Sequence, residues 1–277
     1  MGKLSFTIVM LFSCLRTCIL SHLTSGGTRL HYQDRARHFR RRLLSRSACV
    51  WGAKGNDVSL PKGCRNVSIA IAGRHNRICI GEWPSGEGSL TLTIAGSGNL
   101  VQIGKLAVGG HADISLSGDD GILTIKSLWV HHDLTILNGA EIKGTKARNA
   151  RCSIGKGCTA ESLAIYNHHT DGIVSVGDNV MIAPDVVVMN SDTHPIYDRG
   201  TGTLVNRPQR PLVIGDHSWI GTRAVLLKGT QLPHDTIVGF NATVSGVFLE
   251  ANVALAGCPA KVVRRNVDWK TYDPAFV

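Results

Sequence analysis

His194 is the residue of this sequence best placed to do chemistry, because it interrupts a regular pattern. It lies in the stretch Val188-Met-Asn-Ser-Asp-Thr-His-Pro-Ile-Tyr-Asp198, where a six-residue beat stops and irregular residues follow. An imidazole changes charge near neutral pH, so it can take a proton from a hydroxyl and return it to a leaving group. Asp192, two residues earlier, suits a carboxylate that bonds one ring nitrogen and fixes the tautomer; it suits equally a corner residue satisfying its own turn. Other titratable residues group less well. His131-His132 and His168-His169 are adjacent, so on a strand the members of each pair face opposite sides. The eight cysteines form no CxxC pair and lack the density of a secreted disulfide scaffold. Several, such as Cys158 four residues after Ile154, read as reduced, small apolar residues.

The elements that must position His194 are the regular segments on either side. Every sixth residue from Ile214 is a branched aliphatic: Ile214, Ile220, Leu226, Leu232, Val238 and Val244. Four places after each comes a small residue, Ser218, Ala224, Thr230, Thr236 and Ala242, with Phe248 the exception. This describes a coiled strand solenoid. One aliphatic per hexad points into a narrow triangular bore, small residues let the chain turn the corner, and three hexads, about 18 residues, close one turn. The beat already runs at Val176, Ile182 and Val188, with Val180 and Val186 at corners, so His194 sits where a long loop leaves a regular prism. Upstream, the segments starting at Gly73, Gly96 and Gly118 begin 23 and 22 residues apart and alternate apolar residues after a Gly or Asn turn. They read as early turns of the same solenoid with a bulging corner, with separate small sheets as the alternative. Between Ile154 and Val176 the count is off register by four, which places a short loop around Tyr166 to Asp171. The tail from Val267 is expected to cap the open bore, with Trp269 in a packing role.

Composition narrows the function classes. Only 5% of residues are aromatic while Gly numbers 31, which suits a thin aliphatic core better than one built on large rings. Residues 1–50 hold nine Lys or Arg against one acid, so they carry +8 of the formal +10 and leave +2 for the rest. That distribution argues against a nucleic-acid footprint on the solenoid. Phe6 to Leu20, largely apolar but broken by Ser13, Arg16 and Thr17, resembles a weak signal peptide or anchor, yet its uninterrupted apolar run is too short to span a bilayer and no A-x-A-type cleavage site follows it. Arg35 to Arg46 interleaves Phe39, Leu43 and Leu44 with a basic face, the composition of a helix lying on anionic lipid or of a solvated basic tail. Residues 1–50 are therefore expected to be a flexible or membrane-surface extension making at most weak contact with a membrane. The expected location is cytoplasmic, at its periphery the inner face of the membrane.

Three ordered runs, VSVGDNVMIAPDVVVMNSDTHPIYD, VIGDHSWIGTRAVLLKGTQL and AGCPAKVVR, resemble the hexapeptide-repeat acyltransferases. The likeness is to the maltose, galactoside and capsular-polysaccharide O-acetyltransferases in particular, and it extends over roughly Asn66 to Trp269. It implies an all-β fold, the left-handed parallel β-helix, an exception to the usual right-handed crossover. The β-helix acyltransferase domain is expected over 51–265, with a tail at 266–277. The resemblance implies His194 as general base, with Asp192 orienting it. Trp219-Ile-Gly-Thr222 is similar to the family's W-I-G-S stretch, which implies that the Thr222 N–H faces the developing oxyanion and that Trp219 flanks the pantetheine. Gly221 and Gly239 are carried over to the coenzyme wall. Lys261, with Arg264 beside it, resembles the lysine that meets the coenzyme A phosphates. Against these stand blander readings, a tryptophan covering a prism face and a solvated basic end. Asn167, Asp171 and Tyr197 are polar candidates for an acceptor pocket. Acetyl-CoA is the implied co-substrate, transferred directly in a ternary complex, and no metal is expected. Similar proteins form homotrimers with acetyl-CoA between neighbours, so the site is expected to be shared between subunits. The acceptor is expected to be a sugar or polysaccharide hydroxyl. A nucleotide-sugar amine or other small acceptor is the alternative, and beyond that a non-catalytic β-solenoid. A γ-type carbonic anhydrase shares the prism, but its site includes two histidines five residues apart, and no pair here has that spacing.

Overall fold

The structure is a computed structural model that describes residues 48–82, 88–142, 144–207 and 210–272. Almost all of the basic segment expected to touch a membrane lies outside those residues. The described chain winds into a three-sided coil of parallel strands. One face stacks Cys49–Trp51, Val67–Ala72, Ser89–Ala95, His111–Leu116, Asp133–Asn138, Leu163–Asn167, Val186–Met189, Val225–Leu227 and Thr243–Val244. The second runs from Asp57–Ser59 through Arg77–Glu82, Ile122–Ile125, Arg151–Ile154, Ile173–Val176 and Leu212–Ile214 to Gln231–Leu232. The third carries Leu128–Val130, Cys158–Ala160, Met181–Ile182, Trp219–Ile220, Thr236–Val238 and Val253–Gly257, closed by the antiparallel strand Ala260–Arg265. The long strand Leu100–Val108 crosses the corner between second and third faces and pairs on both. The first strand begins at Cys49, two residues before the expected start of the domain.

The hexads explain this winding. Ile214, Ile220 and Leu226 fall on the second, third and first faces in turn, and Leu226 pairs with Val244, 18 residues on. All six aliphatics of the run are at most 2% exposed, and the five small corner residues are fully buried. Each such aliphatic contributes on the order of 1.5–3 kcal/mol by leaving water. Stacking is also what requires glycine at Gly221, where a Cβ would lie 2.6 Å from the Val238 carbonyl oxygen of the next coil.

The early segments belong to the same prism. Arg77 pairs with Leu100 and Leu100 with Ile122, steps of 23 and 22 residues, and Ile154 pairs with Val176 across another 22. The surplus over 18 sits at the corner between first and second faces, and buried asparagines hold it. Asn76 Oδ1 accepts the backbone N–H and the amide of Asn99, and Asn99 Oδ1 accepts the Gly121 N–H. Further along, Asn167 Nδ2 donates to Asn138 Oδ1, and Asn190 Nδ2 donates to Asn167 Oδ1. The same corner also emits a small hairpin, Glu141–Ile142 against Thr145–Arg148, which the sequence pattern does not announce.

Asn167 therefore has no surface to offer a substrate. It is fully buried, and its amide also donates to the carbonyls of Arg151 and Gly172. The acceptor role expected for it is corrected to a structural one. Asn167→Ala should lower unfolding stability by about 2–4 kcal/mol, since several buried partners lose their bonds at once. Denaturant unfolding checks this; a midpoint equal to wild type would contradict it.

The tail also differs from expectation. Trp269 is buried, but its Nε1 donates to the His217 carbonyl oxygen at 2.9 Å and its ring stacks on His217 at 4.7 Å. It docks against the outside of the prism near Trp219, three strands short of the closing strand of that face, rather than over the bore.

Candidate active site

His194 leaves the prism at the corner between first and second faces, immediately after Val186–Met189. Its side chain is exposed and its ring makes no hydrogen bond within the described residues. The backbone beneath it is tightly set. The His194 N–H closes on the Asp192 carbonyl oxygen at 2.7 Å, with Thr193 between them at φ 66°. A bond from residue i+2 to residue i across a positive φ is the rare, strained form of γ-turn, and a β-branched residue there costs on the order of 1–3 kcal/mol. The Ser191 hydroxyl supports the turn by accepting the Thr193 N–H at 2.9 Å.

Asp192 does not bond the His194 ring. Its Oδ2 accepts from Lys228 Nζ and from Asn206 Nδ2, and Asn206 Nδ2 also donates to the His194 carbonyl oxygen at 2.9 Å. Burial works to raise the Asp192 carboxyl, but the hydrogen bonds from Lys228 and Asn206 and the lysine charge outweigh it and hold it below the usual carboxylate range. One coil back, burial pushes the imidazoles of His168 and His169 below their ordinary value. Tyr197 is exposed and bridges Leu204 across the loop. Asp171 is an exposed corner residue whose Oδ1 accepts from Asn149 Nδ2, at the edge of a shallow depression of about 230 Å³ shared with Arg151 and Ile173.

The remaining expected residues gather on a different side. Trp219 is 36% exposed on the third face, with Ile237, Ala254 and Arg264 following it in register on successive strands. Arg264 thus lies three strand spacings, roughly 14 Å, from Trp219. Exposed Lys261 sits on the same closing strand opposite Ala256. Thr222 is half-buried at the corner between third and first faces, and its N–H has no acceptor among the described residues. Gly221 and Gly239 are explained by coil stacking: a Cβ on Gly239 would meet the Leu255 carbonyl oxygen at 3.2 Å. Within one chain, then, His194 and Thr222 stand at opposite edges of the first face. The four-residue strand Val186–Met189 lies between them, roughly 13 Å.

One further group stands apart. The ligand atoms of His217, Asp235 and Asp268 lie within 4.8 Å of one another, a spacing that could hold a metal ion. Hydrogen bonds from His234 and His217 hold the Asp235 carboxyl below its ordinary value, and Asp268 Oδ1 accepts the Trp269 N–H, so these contacts also serve to dock the tail.

No family model matches the chain. A stretch of 102 residues is 30% identical to the polysialic acid O-acetyltransferase of Escherichia coli O1:K1 / APEC, covering 37% of this chain and 33% of that protein. A stretch of 109 residues is 32% identical to the galactoside O-acetyltransferase of Escherichia coli (strain K12), covering 39% of this chain and 50% of that protein. The chain thus spans a third to a half of the length of these curated relatives. The crystal structure of the polysialic acid O-acetyltransferase OatWY matches with a TM-score of 0.55 at 25% identity, over 74% of this chain and 93% of that one. The prism has the left hand of that β-helix.

Proposed function

We propose that this chain, whose relatives are hexapeptide-repeat O-acetyltransferases, is itself an acetyl-CoA-dependent O-acetyltransferase acting on a sugar or polysaccharide hydroxyl. The observation that carries the reading is His194, an imidazole with no hydrogen-bond partner among the described residues, presented to solvent on a strained turn at the edge of an otherwise regular prism. Positive φ recurs at coil corners, as at Asp185, Arg223 and Asn241, but Thr193 is the β-branched residue among the described positions that adopt it, and strain of that kind collects at functional sites.

The reaction follows from the residues. The acceptor hydroxyl gives its proton to an imidazole nitrogen of His194 as its oxygen attacks the thioester carbonyl carbon. A C–O bond forms, and the negative charge on the carbonyl oxygen is met by the N–H of Thr222. Collapse breaks the C–S bond. The departing thiolate takes the proton from the imidazolium, leaving free coenzyme A thiol and an acetyl ester. Nothing passes through an acyl-enzyme, and exposed Cys258 has no part in it. Trp219 supplies an apolar wall for the pantetheine arm, while Lys261 and Arg264 offer fixed positive charge to its phosphates.

Because His194 and Thr222 stand at different corners of one chain, the complete site is formed between two copies, within a homotrimer. His194 comes from one subunit, and Thr222, Trp219 and Lys261 from its neighbour. Acetyl-CoA consumption measured against a panel of galactosides, sialic acid oligomers, nucleotide sugars and other oligosaccharides tests the reading. Acceptor-dependent release of coenzyme A is expected with at least one sugar. Consumption only with amine acceptors would transfer the assignment to an N-acetyltransferase, and none with any acceptor would leave a binding solenoid.

A further inference from the structure

We propose that Lys228 and Asn206 are positioning residues that clamp the strained turn beneath His194 and so aim its imidazole; this rests on His194 being the base. Lys228 follows Val225–Leu227 on the coil next to the one that emits the loop. Because Met189 pairs with Leu227, Lys228 stands in register with Asn190, the last amide of the buried ladder. The hexad does not demand a lysine there. The equivalent positions of neighbouring hexads hold Asp216, Thr222, His234 and Phe240, which share no chemistry.

The ammonium of Lys228 reaches both ends of the loop. It donates to Asp192 Oδ2 at the outgoing end and to the Asn206 carbonyl oxygen at the returning end, the latter at 3.1 Å. Asn206 completes the knot. Its Nδ2 bridges Asp192 Oδ2 and the His194 carbonyl oxygen, and its Oδ1 accepts the Ile196 N–H at 2.8 Å. Charge-assisted bonds of this kind are among the stronger ones available to an exposed loop. They hold the first and last residues of the γ-turn, Asp192 through its carboxylate and His194 through its carbonyl oxygen, and Thr193 between them relaxes toward negative φ once they are lost. Asn190 Oδ1, buried and without a donor on the adjoining coil, marks where the amide ladder ends and the lysine takes over.

The test compares Lys228→Met, Lys228→Arg and Asn206→Ala with wild type and His194→Ala. Steady-state rates are read with acetyl-CoA and whichever sugar the panel returns, or with acetyl-CoA hydrolysis in water if it returns none. Amide hydrogen exchange is read in parallel. Misaiming a catalytic group by about an ångström costs on the order of 10- to 100-fold. Lys228→Met should therefore lower kcat by that much and leave KM for acetyl-CoA within about twofold, since the coenzyme residues lie elsewhere. Lys228→Arg should recover most of the rate, and Asn206→Ala should behave like Lys228→Met. Exchange at the His194 and Ile196 amides should rise in both damaged variants while Ile220 and Leu226 stay protected. A wild-type kcat in Lys228→Met, a loss confined to KM, or a loss that arginine does not rescue overturns the clamp. A wild-type rate in His194→Ala instead overturns the base itself, and the exchange data then still decide whether Lys228 holds the loop.

Discussion

Replacing His194 with alanine should lower acetyl transfer by roughly 100-fold or more, the loss typical of removing a general base. The fold should be untouched, because the side chain is exposed and contributes nothing to the core. The same substitution should leave KM for acetyl-CoA nearly unchanged, since the residues expected to grip the coenzyme stand on the third face and its corner. A variant as fast as wild type would remove His194 from the reaction. The chemistry would then have to come from another histidine, and His168 and His169 are both held toward the neutral form by burial one coil away.

Mixing two dead variants should restore activity. His194→Ala and a double variant of Lys261→Ala with Trp219→Ala damage opposite halves of a site that two subunits build together. After subunit exchange in equal amounts, one interface in four pairs an intact His194 with an intact coenzyme wall. Recovery of about a quarter of the wild-type rate is therefore expected, against almost none for either variant alone. No recovery after exchange has been verified by mass would mean that one chain supplies both halves. That would require His194 to cross the first face, a separation of roughly 13 Å in the present arrangement.

The winding was legible in the sequence because its cause is local and periodic. A branched aliphatic every sixth residue from Ile214 to Val244 and a small residue four places after most of them specify a bore and its corners without reference to distant contacts. The site was legible only as a set of landmarks. His194 stands out because a regular beat stops there, and Trp219, Thr222 and Lys261 because their neighbours resemble a family pattern. Their distribution over two corners and a face follows from how many residues each corner absorbs, which requires the whole coil.

Asn167 shows where such reading fails. In the chain it is one polar residue in a loop of polar residues, beside Tyr166 and His168; its burial depends on Asn138 and Asn190, 29 and 23 residues away, arriving directly beside it. Lys228 is the complementary case, a lone cation at an outward hexad position that becomes meaningful because the coil returns it to Asp192 after 36 residues. Periodicity in the sequence determines that strands stack and which side chains enter the bore. Which polar groups meet across the stack depends on register summed over 18-, 22- and 23-residue turns and two insertions, and only the folded coil carries out that sum.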